Sequence, residues 1–171
     1  MFIPVILGTA REGRFSEFAA NYILNEVKKS GIESQIVDAK DYRIPYSDKS
    51  GKFPESEKLK AIVNKSNALI IVMPEYNHGI PGELKMMLDM LYSEYYGKPA
   101  AMCGVSMGPV GGARGLQALK LVLLSLSMVP INEVVYFPGI RELFNADGSI
   151  KDKSYDAKVS GMLEALKKRI K

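Results

Sequence analysis

Five apolar runs of strand length alternate with five helix-length amphipathic stretches along this chain, and that alternation restricts the fold more than any single motif. FIPVIL (2–7), SQIVDA (34–39), ALIIVM (68–73), PAAMCGVS (99–106) and INEVVYF (131–137) read as strands. ALIIVM is almost continuously apolar, as expected of a strand buried on both faces. Between the runs, apolar residues recur at helical spacing. Ser16 is placed to cap a first helix whose inner face is Phe18, Ala19, Tyr22, Ile23 and Val27. A loop of turn formers, with Pro45, Gly51 and Pro54, leads to a second helix marked by Leu59, Ile62 and Val63. Pro81 opens a third at a position that suits proline, with Leu84, Met87, Leu88 and Leu91 inward. The fourth, 111–126, carries the stripe Leu116, Leu119, Leu123 and Leu126. The last follows the turn NADG and faces inward with Tyr155, Val159, Met162, Leu163, Leu166 and Ile170.

Strands joined by helix-length crossovers imply a parallel sheet covered on both faces. Five of them predict an α/β fold: a flavodoxin-like three-layer sandwich with a five-stranded parallel sheet in the order 2-1-3-4-5. The 171 residues show no repeat, linker or low-complexity tract, so residues 1–171 read as one domain. A hydrophobic share of 47% supports a sizeable core. The net charge of +4 is mild, and much of the base sits in KKRIK (167–171), where it offsets a helix dipole. Aromatics do not interleave with it, which argues against a nucleic-acid partner. No run reaches the length of a membrane span, and the N-terminus has no signal-peptide pattern. The single cysteine, Cys103, excludes an intrachain disulfide framework and a cysteine-based zinc site, and suits a reducing compartment. Its apolar setting, AAMCGV, marks a buried inert thiol. A soluble, cytoplasmic protein is expected, with neither membrane nor nucleic acid as partner.

In an open parallel sheet, ligands bind beyond the carboxyl ends of the strands, at the switch point. Here that means the loops after the first, third and fourth strands. The first is GTAREGRFSE (8–17). Gly8 permits a tight exit from the strand, and Thr9 and Ser16 offer hydroxyl donors. Helix N-terminal N–H groups favour an anion, and Arg11 and Arg14 add charge-assisted bonds. Two arginines at a helix N-terminus oppose the dipole, so they point to a ligand rather than to helix stability. There is no lysine placed as in a P-loop and no dinucleotide fingerprint, which leaves the phosphate of a mononucleotide.

The second loop is PEYNHGIPGE (74–83). Tyr76 can border a flat ring, Asn77 and backbone N–H groups can donate to it, and Glu75 can accept from it. His78 is the sole histidine, without a second ligand at metal spacing or a paired nucleophile. It stands as a loop residue or a general base. The third loop, SMGPVGGARG (106–115), brings Ser106, Gly108, Gly111, Gly112 and Gly115 to where backbone can approach a ligand; alone it also reads as a simple glycine-rich turn.

At these residues the sequence resembles the NADPH-dependent FMN reductase family, flavodoxin-like flavoproteins that include quinone, azo-dye and chromate reductases. GTAREGRFSE looks like the family's phosphate loop, with Thr9 in place of serine. PEYNHGIPGELK is close to its flavin-ring signature and is the most specific match. SMGPVGGARGLQALK looks like its third loop. The resemblance implies FMN bound noncovalently, with Thr9, Arg11, Arg14 and Ser16 on the phosphate. Pro74, Glu75, Tyr76 and Asn77 would line the ring, and Ser106, Gly108, Gly111 and Gly112 would close the other side. It implies NADPH or NADH as reductant and a small-molecule acceptor: a quinone, azo compound, free flavin or metal oxyanion. No side chain is expected to be catalytic, because a flavin carries the redox chemistry itself. Met86 and Met87 follow ELK where related sequences often carry an asparagine. Arg114 is either structural or meets the pyridine nucleotide. The family also implies a homodimer or homotetramer, with Met86 a candidate contact. A flavodoxin-like electron carrier and a non-catalytic flavin-binding module are the alternatives. The basic balance weighs against the carrier.

Overall fold

The computed structural model describes residues 1–46 and 53–170. Its strands are β1 (Val5–Leu7), β2 (Ile36–Asp38), β3 (Leu69–Pro74), β4 (Pro99–Val105), β5 (Val129–Pro130) and β6 (Val135–Phe137). Its α-helices are α1 (Ser16–Lys29), α2 (Pro54–Lys65), α3 (Gly82–Leu88), α4 (Ala113–Ser125), α5 (Ile140–Leu143) and α6 (Ser154–Lys167). The strands form one parallel sheet in the order β2-β1-β3-β4-β5, with β6 also paired to β4. The flavodoxin-like α/β fold expected from the alternation is the one observed.

The fifth strand departs from expectation. Residues 131–137 do not run as one strand; two short pieces occupy the edge. Val129–Pro130 pairs with Pro99–Ala100, and Val135–Phe137 pairs with Cys103–Val105. Pro130 has no N–H to give to a ladder and is tolerated only at an edge. The Ile131 N–H still reaches the Ala100 carbonyl at 2.9 Å before the chain leaves the sheet.

Strand alternation sends side chains to two cores. Val5, Leu7, Ile70 and Val72 pack with α1 and α6, whereas Ile6, Leu69, Ile71 and Met73 pack with α2, α3 and α4. Each such residue is almost fully buried, worth about 1.5–3 kcal/mol apiece. The third helix is shorter than its periodicity suggests, so Leu91 is buried beyond its end. Pro81 immediately precedes that helix, and Ile170 lies past the last turn of α6. Met87 and Met90 are buried in the second core, and Met86 packs half-buried against it. Two of the exposed apolar side chains, Leu121 and Leu124, share the outer face of α4; others, such as Tyr92, Met107 and Val110, stand elsewhere on the surface. Gly51 and Lys171 lie outside the described residues. Among the described residues no helix is long and apolar enough to cross a membrane.

Candidate functional site

Beyond the carboxyl ends of β1, β3, β4 and β6 lies a cleft of about 430 Å³. Its walls are the loop from Arg11 to Ser16, the segment Pro74 to Tyr76, the segment Val105 to Met107, and Ile140 with Arg141. All three loops singled out in the sequence contribute, and a fourth joins them.

In the first loop, Ser16 is the first residue of α1 rather than its cap; Phe15 takes the cap position, and no side chain caps the helix. The Ser16 hydroxyl is buried and has no hydrogen-bond partner among the described residues. Arg11 is exposed on the cleft wall. Thr9 is fully buried, with its Oγ1 2.9 Å from the Tyr76 hydroxyl and accepting from the Arg11 N–H at 3.3 Å. It therefore ties the first loop to the second instead of facing the cleft.

Arg14 has a partner that its local sequence does not announce. Its side chain is only 6% exposed and lies along the Asp38 carboxylate at the end of β2. Nη1 donates to Asp38 Oδ1 at 2.9 Å, Nη2 donates to Oδ2, and Nη1 also donates to the Thr9 carbonyl. Its charge is matched inside the protein by Asp38, and it fixes the loop from the cleft wall.

In the second loop, Tyr76 N–H donates to the Gly79 carbonyl at 3.1 Å, and Gly79 N–H returns the bond at 2.8 Å. The two residues between them, Asn77 and His78, have φ of 48° and 63°. Left-handed backbone at a non-glycine residue costs about 1 kcal/mol or more, and it is tolerated here because the reciprocal bonds fix the turn. The turn puts Asn77 and His78 in solvent, off the cleft wall, while Pro74 and Tyr76 stay on it. Glu75 turns its carboxylate to the start of α4, where Oε2 accepts from the N–H groups of Arg114 (3.0 Å) and Gly115 (3.1 Å). It thus caps a helix that has no side-chain cap of its own. The Arg114 guanidinium stands 3.9 Å from the same carboxylate and 3.4 Å from His78 Nε2, an arrangement that holds the two loops together.

In the third loop, Ser106 lies on the cleft wall, its Oγ donating to the Gly108 carbonyl at 2.8 Å. Gly108 is exposed, and its carbonyl also accepts from Gly139 N–H at 3.1 Å. Gly111 and Gly112 are buried away from the cleft, with φ of 61° and 78°. A Cβ on Gly111 would come within 2.7 Å of Tyr136 Cβ, and one on Gly112 within 3.1 Å of Val105 backbone. Without a Cβ they let the loop lie flat on β4 and β6.

Sequence reading missed Phe15, Met107 and Arg141, which also line the cleft. The signal for Arg141 was present: FPGIRELF follows the end of a strand at the same edge of the sheet as the other loops. Cys103 takes no part. It is fully buried with its sulfur 3.7 Å from Met162 Sδ, and burial pushes its thiol above the ordinary range. Among the described residues there is no group of three or more His, Cys, Asp or Glu able to hold a metal.

Comparison with known proteins agrees with this geometry. The sequence profile described as NADPH-dependent FMN reductase matches residues 1–142. A quinone reductase of Pseudomonas putida is 29% identical over 161 residues, covering 89% of this chain and 86% of its own. An NAD(P)H-dependent FMN reductase of Saccharomyces cerevisiae is 30% identical over 153 residues, covering 78% and 79%. Among solved structures, FerB, a flavoenzyme NAD(P)H:(acceptor) oxidoreductase from Paracoccus denitrificans, superposes with a TM-score of 0.85 at 23% identity over 99% of both chains. A flavodoxin variant from Pseudomonas aeruginosa superposes at 0.64 with 15% identity, covering 98% of this chain and 99% of its own, a likeness of fold alone. With the profile matching most of the chain and the loops meeting at one cleft, this chain belongs to the NADPH-dependent FMN reductase family.

Proposed function

We propose that residues 1–171 form a single FMN-binding domain of a cytoplasmic NAD(P)H oxidoreductase acting on quinones, the cleft being its flavin site. The observation that carries this reading is the buried Ser16 hydroxyl, which has no partner at the start of α1 beside the exposed Arg11. A buried hydroxyl left unpaired costs about 1–3 kcal/mol. A phosphate oxygen removes that penalty, and the helix N-terminus favours the negative charge. The residues present therefore fit the phosphate end of FMN.

Arg11 and Ser16 hold the phosphate, and Pro74, Tyr76 and Ser106 line the ring, with Asn77 and Gly108 at the rim. Thr9, Arg14, Glu75, Gly111 and Gly112 set the loops in place. When bound, FMN supplies the hydride and electron transfer between nicotinamide and acceptor. The protein supplies position and shelter. Quinone is the favoured acceptor because relatives at 29% and 30% identity are named quinone reductase and 2-hydroxy-1,4-benzoquinone reductase. Azo compounds, free flavin and metal oxyanions are further acceptors of the same site.

The outer face of α4 is where a second copy packs to give a homodimer or homotetramer. Leu121 and Leu124 stand 71% and 52% exposed one helical turn apart, an apolar surface that a solvated monomer would not need.

The test is FMN binding to the purified protein, followed by anaerobic addition of NADPH or NADH and then a quinone. Bleaching of the oxidised flavin and its return with quinone is the expected result. Flavin that binds but stays oxidised with either nicotinamide would transfer the case to an electron carrier or a non-catalytic module.

A further inference from the structure

We propose that Arg141 is a phosphate-binding residue of the cleft, the second arginine of the site where Arg14 is engaged elsewhere. This rests on the flavin-site reading above. The argument begins with charge. The cleft is lined by Arg11, Arg14 and Arg141 and by Glu12 and Glu75. Asp38 matches Arg14, and Glu75 is directed at the N–H groups that begin α4. Among the described residues, the arginine ion pairs belong to Arg14 and Arg114. Among the described residues, Arg11 and Arg141 therefore face the cleft without an anionic partner, beside the solvated carboxylate of Glu12. A phosphate monoester brings about −1.5 to −2 charges, more than one arginine matches.

The second argument is placement. The Arg141 guanidinium lies over the Phe15 ring, 5.3 Å from its centroid. Phe15 immediately precedes Ser16, the residue with the unpartnered hydroxyl. That ring is itself held: Phe15 stacks on Phe18 at 6.4 Å, and Phe18 stacks on the buried Phe144 at 5.8 Å. An exposed arginine is thereby fixed at the cleft by an aromatic ladder rooted in the core. Stacking on a ring face leaves the N–H edge of a guanidinium available for phosphate oxygens.

Two groups share this chemistry, the 5′-phosphate of FMN and the 2′-phosphate of NADPH. The test uses Arg141→Gln and Arg141→Lys with FMN and riboflavin, which differ only in the phosphate. Binding is read from quenching of flavin fluorescence on the apoprotein. If the flavin is the source, Arg141→Gln weakens FMN about tenfold and leaves riboflavin unchanged, and Arg141→Lys recovers part of the loss. If the reductant is the source, Arg141→Gln leaves FMN affinity alone and raises KM for NADPH about tenfold without moving KM for NADH. Either result supports the assignment. Wild-type values of both the FMN-to-riboflavin and the NADPH-to-NADH ratios in Arg141→Gln overturn it. If the wild-type protein binds neither flavin, the flavin-site reading fails, and Arg141 is judged with inorganic phosphate alone. A saturable shift of an arginine Nε–H resonance that Arg141→Gln removes would then support it, and no such shift would overturn it.

Discussion

Arg14 and Asp38 meet fork to fork between the first loop and the end of β2, with Asp38 in register beside Leu7 at the end of β1. The pair is nearly buried, with side-chain exposures of 6% and 11%. It fixes the loop that carries Arg11 and Ser16, and it removes Arg14 from the pool of free cations.

The two halves of this pair are unequal. Asp38 keeps the Lys40 N–H at 3.1 Å and the Lys40 ammonium at 3.4 Å when Arg14 is lost, whereas Arg14 keeps only the Thr9 carbonyl and the outlying Glu17. Asp38→Ala should therefore cost more stability, about 3 kcal/mol, and Arg14→Ala less. Urea unfolding of both variants measures the difference; equal costs would show that the surrounding charges do not compensate Asp38.

Tyr76 joins the first and second loops through its hydroxyl, 2.9 Å from Thr9 Oγ1. Tyr76→Phe keeps the ring on the cleft wall but deprives a fully buried threonine of that partner. It should lower stability by about 1 kcal/mol and loosen FMN through the loop, while a retained ring preserves the flavin spectrum. A thermal melt paired with an FMN titration checks both parts.

The third loop is pressed so closely on β4 that a Cβ on Gly104 would stand 2.3 Å from the Gly111 carbonyl oxygen. Because the obstacle is backbone, Gly104→Ala must shift the loop. A loss of about 1–3 kcal/mol is expected, together with weaker flavin binding as Ser106 and Met107 move. An alanine variant with wild-type stability would mean that the loop yields without cost.

Much of this was readable in the residues. The apolar run 68–73 announced a doubly buried central strand, and the alternation announced the sheet order. The three loops that converge on the cleft were found by placing strand ends, which period and length define well. What one-dimensional reading missed depends on partners far along the chain. Nothing near Arg14 announces that Asp38, 24 residues on, will take its charge. Nothing near Glu75 announces that it caps a helix beginning at Ala113. Gly111 and Gly112 look like ligand-approach glycines until Tyr136 and Val105 are seen beneath them. The broken fifth strand turns on Pro130, just outside the run taken as a strand.

Cys103 offers a check on the core. Burial raises its thiol, so the reactive thiolate is scarce at neutral pH. A thiol reagent should label the folded protein very slowly and the urea-unfolded protein promptly. Rapid labelling of the folded protein would mean that β4 opens far more readily than its packing implies.

The most direct test of the flavin-site account is anaerobic addition of NADPH and NADH to the FMN-loaded protein, with the Arg11→Ala variant alongside. The account predicts that the wild-type protein retains FMN, that at least one nicotinamide bleaches it, and that a quinone restores the oxidised spectrum. It predicts that Arg11→Ala retains FMN at least about tenfold more weakly. A protein that takes up no FMN, or whose bound flavin remains oxidised with both nicotinamides, would contradict it.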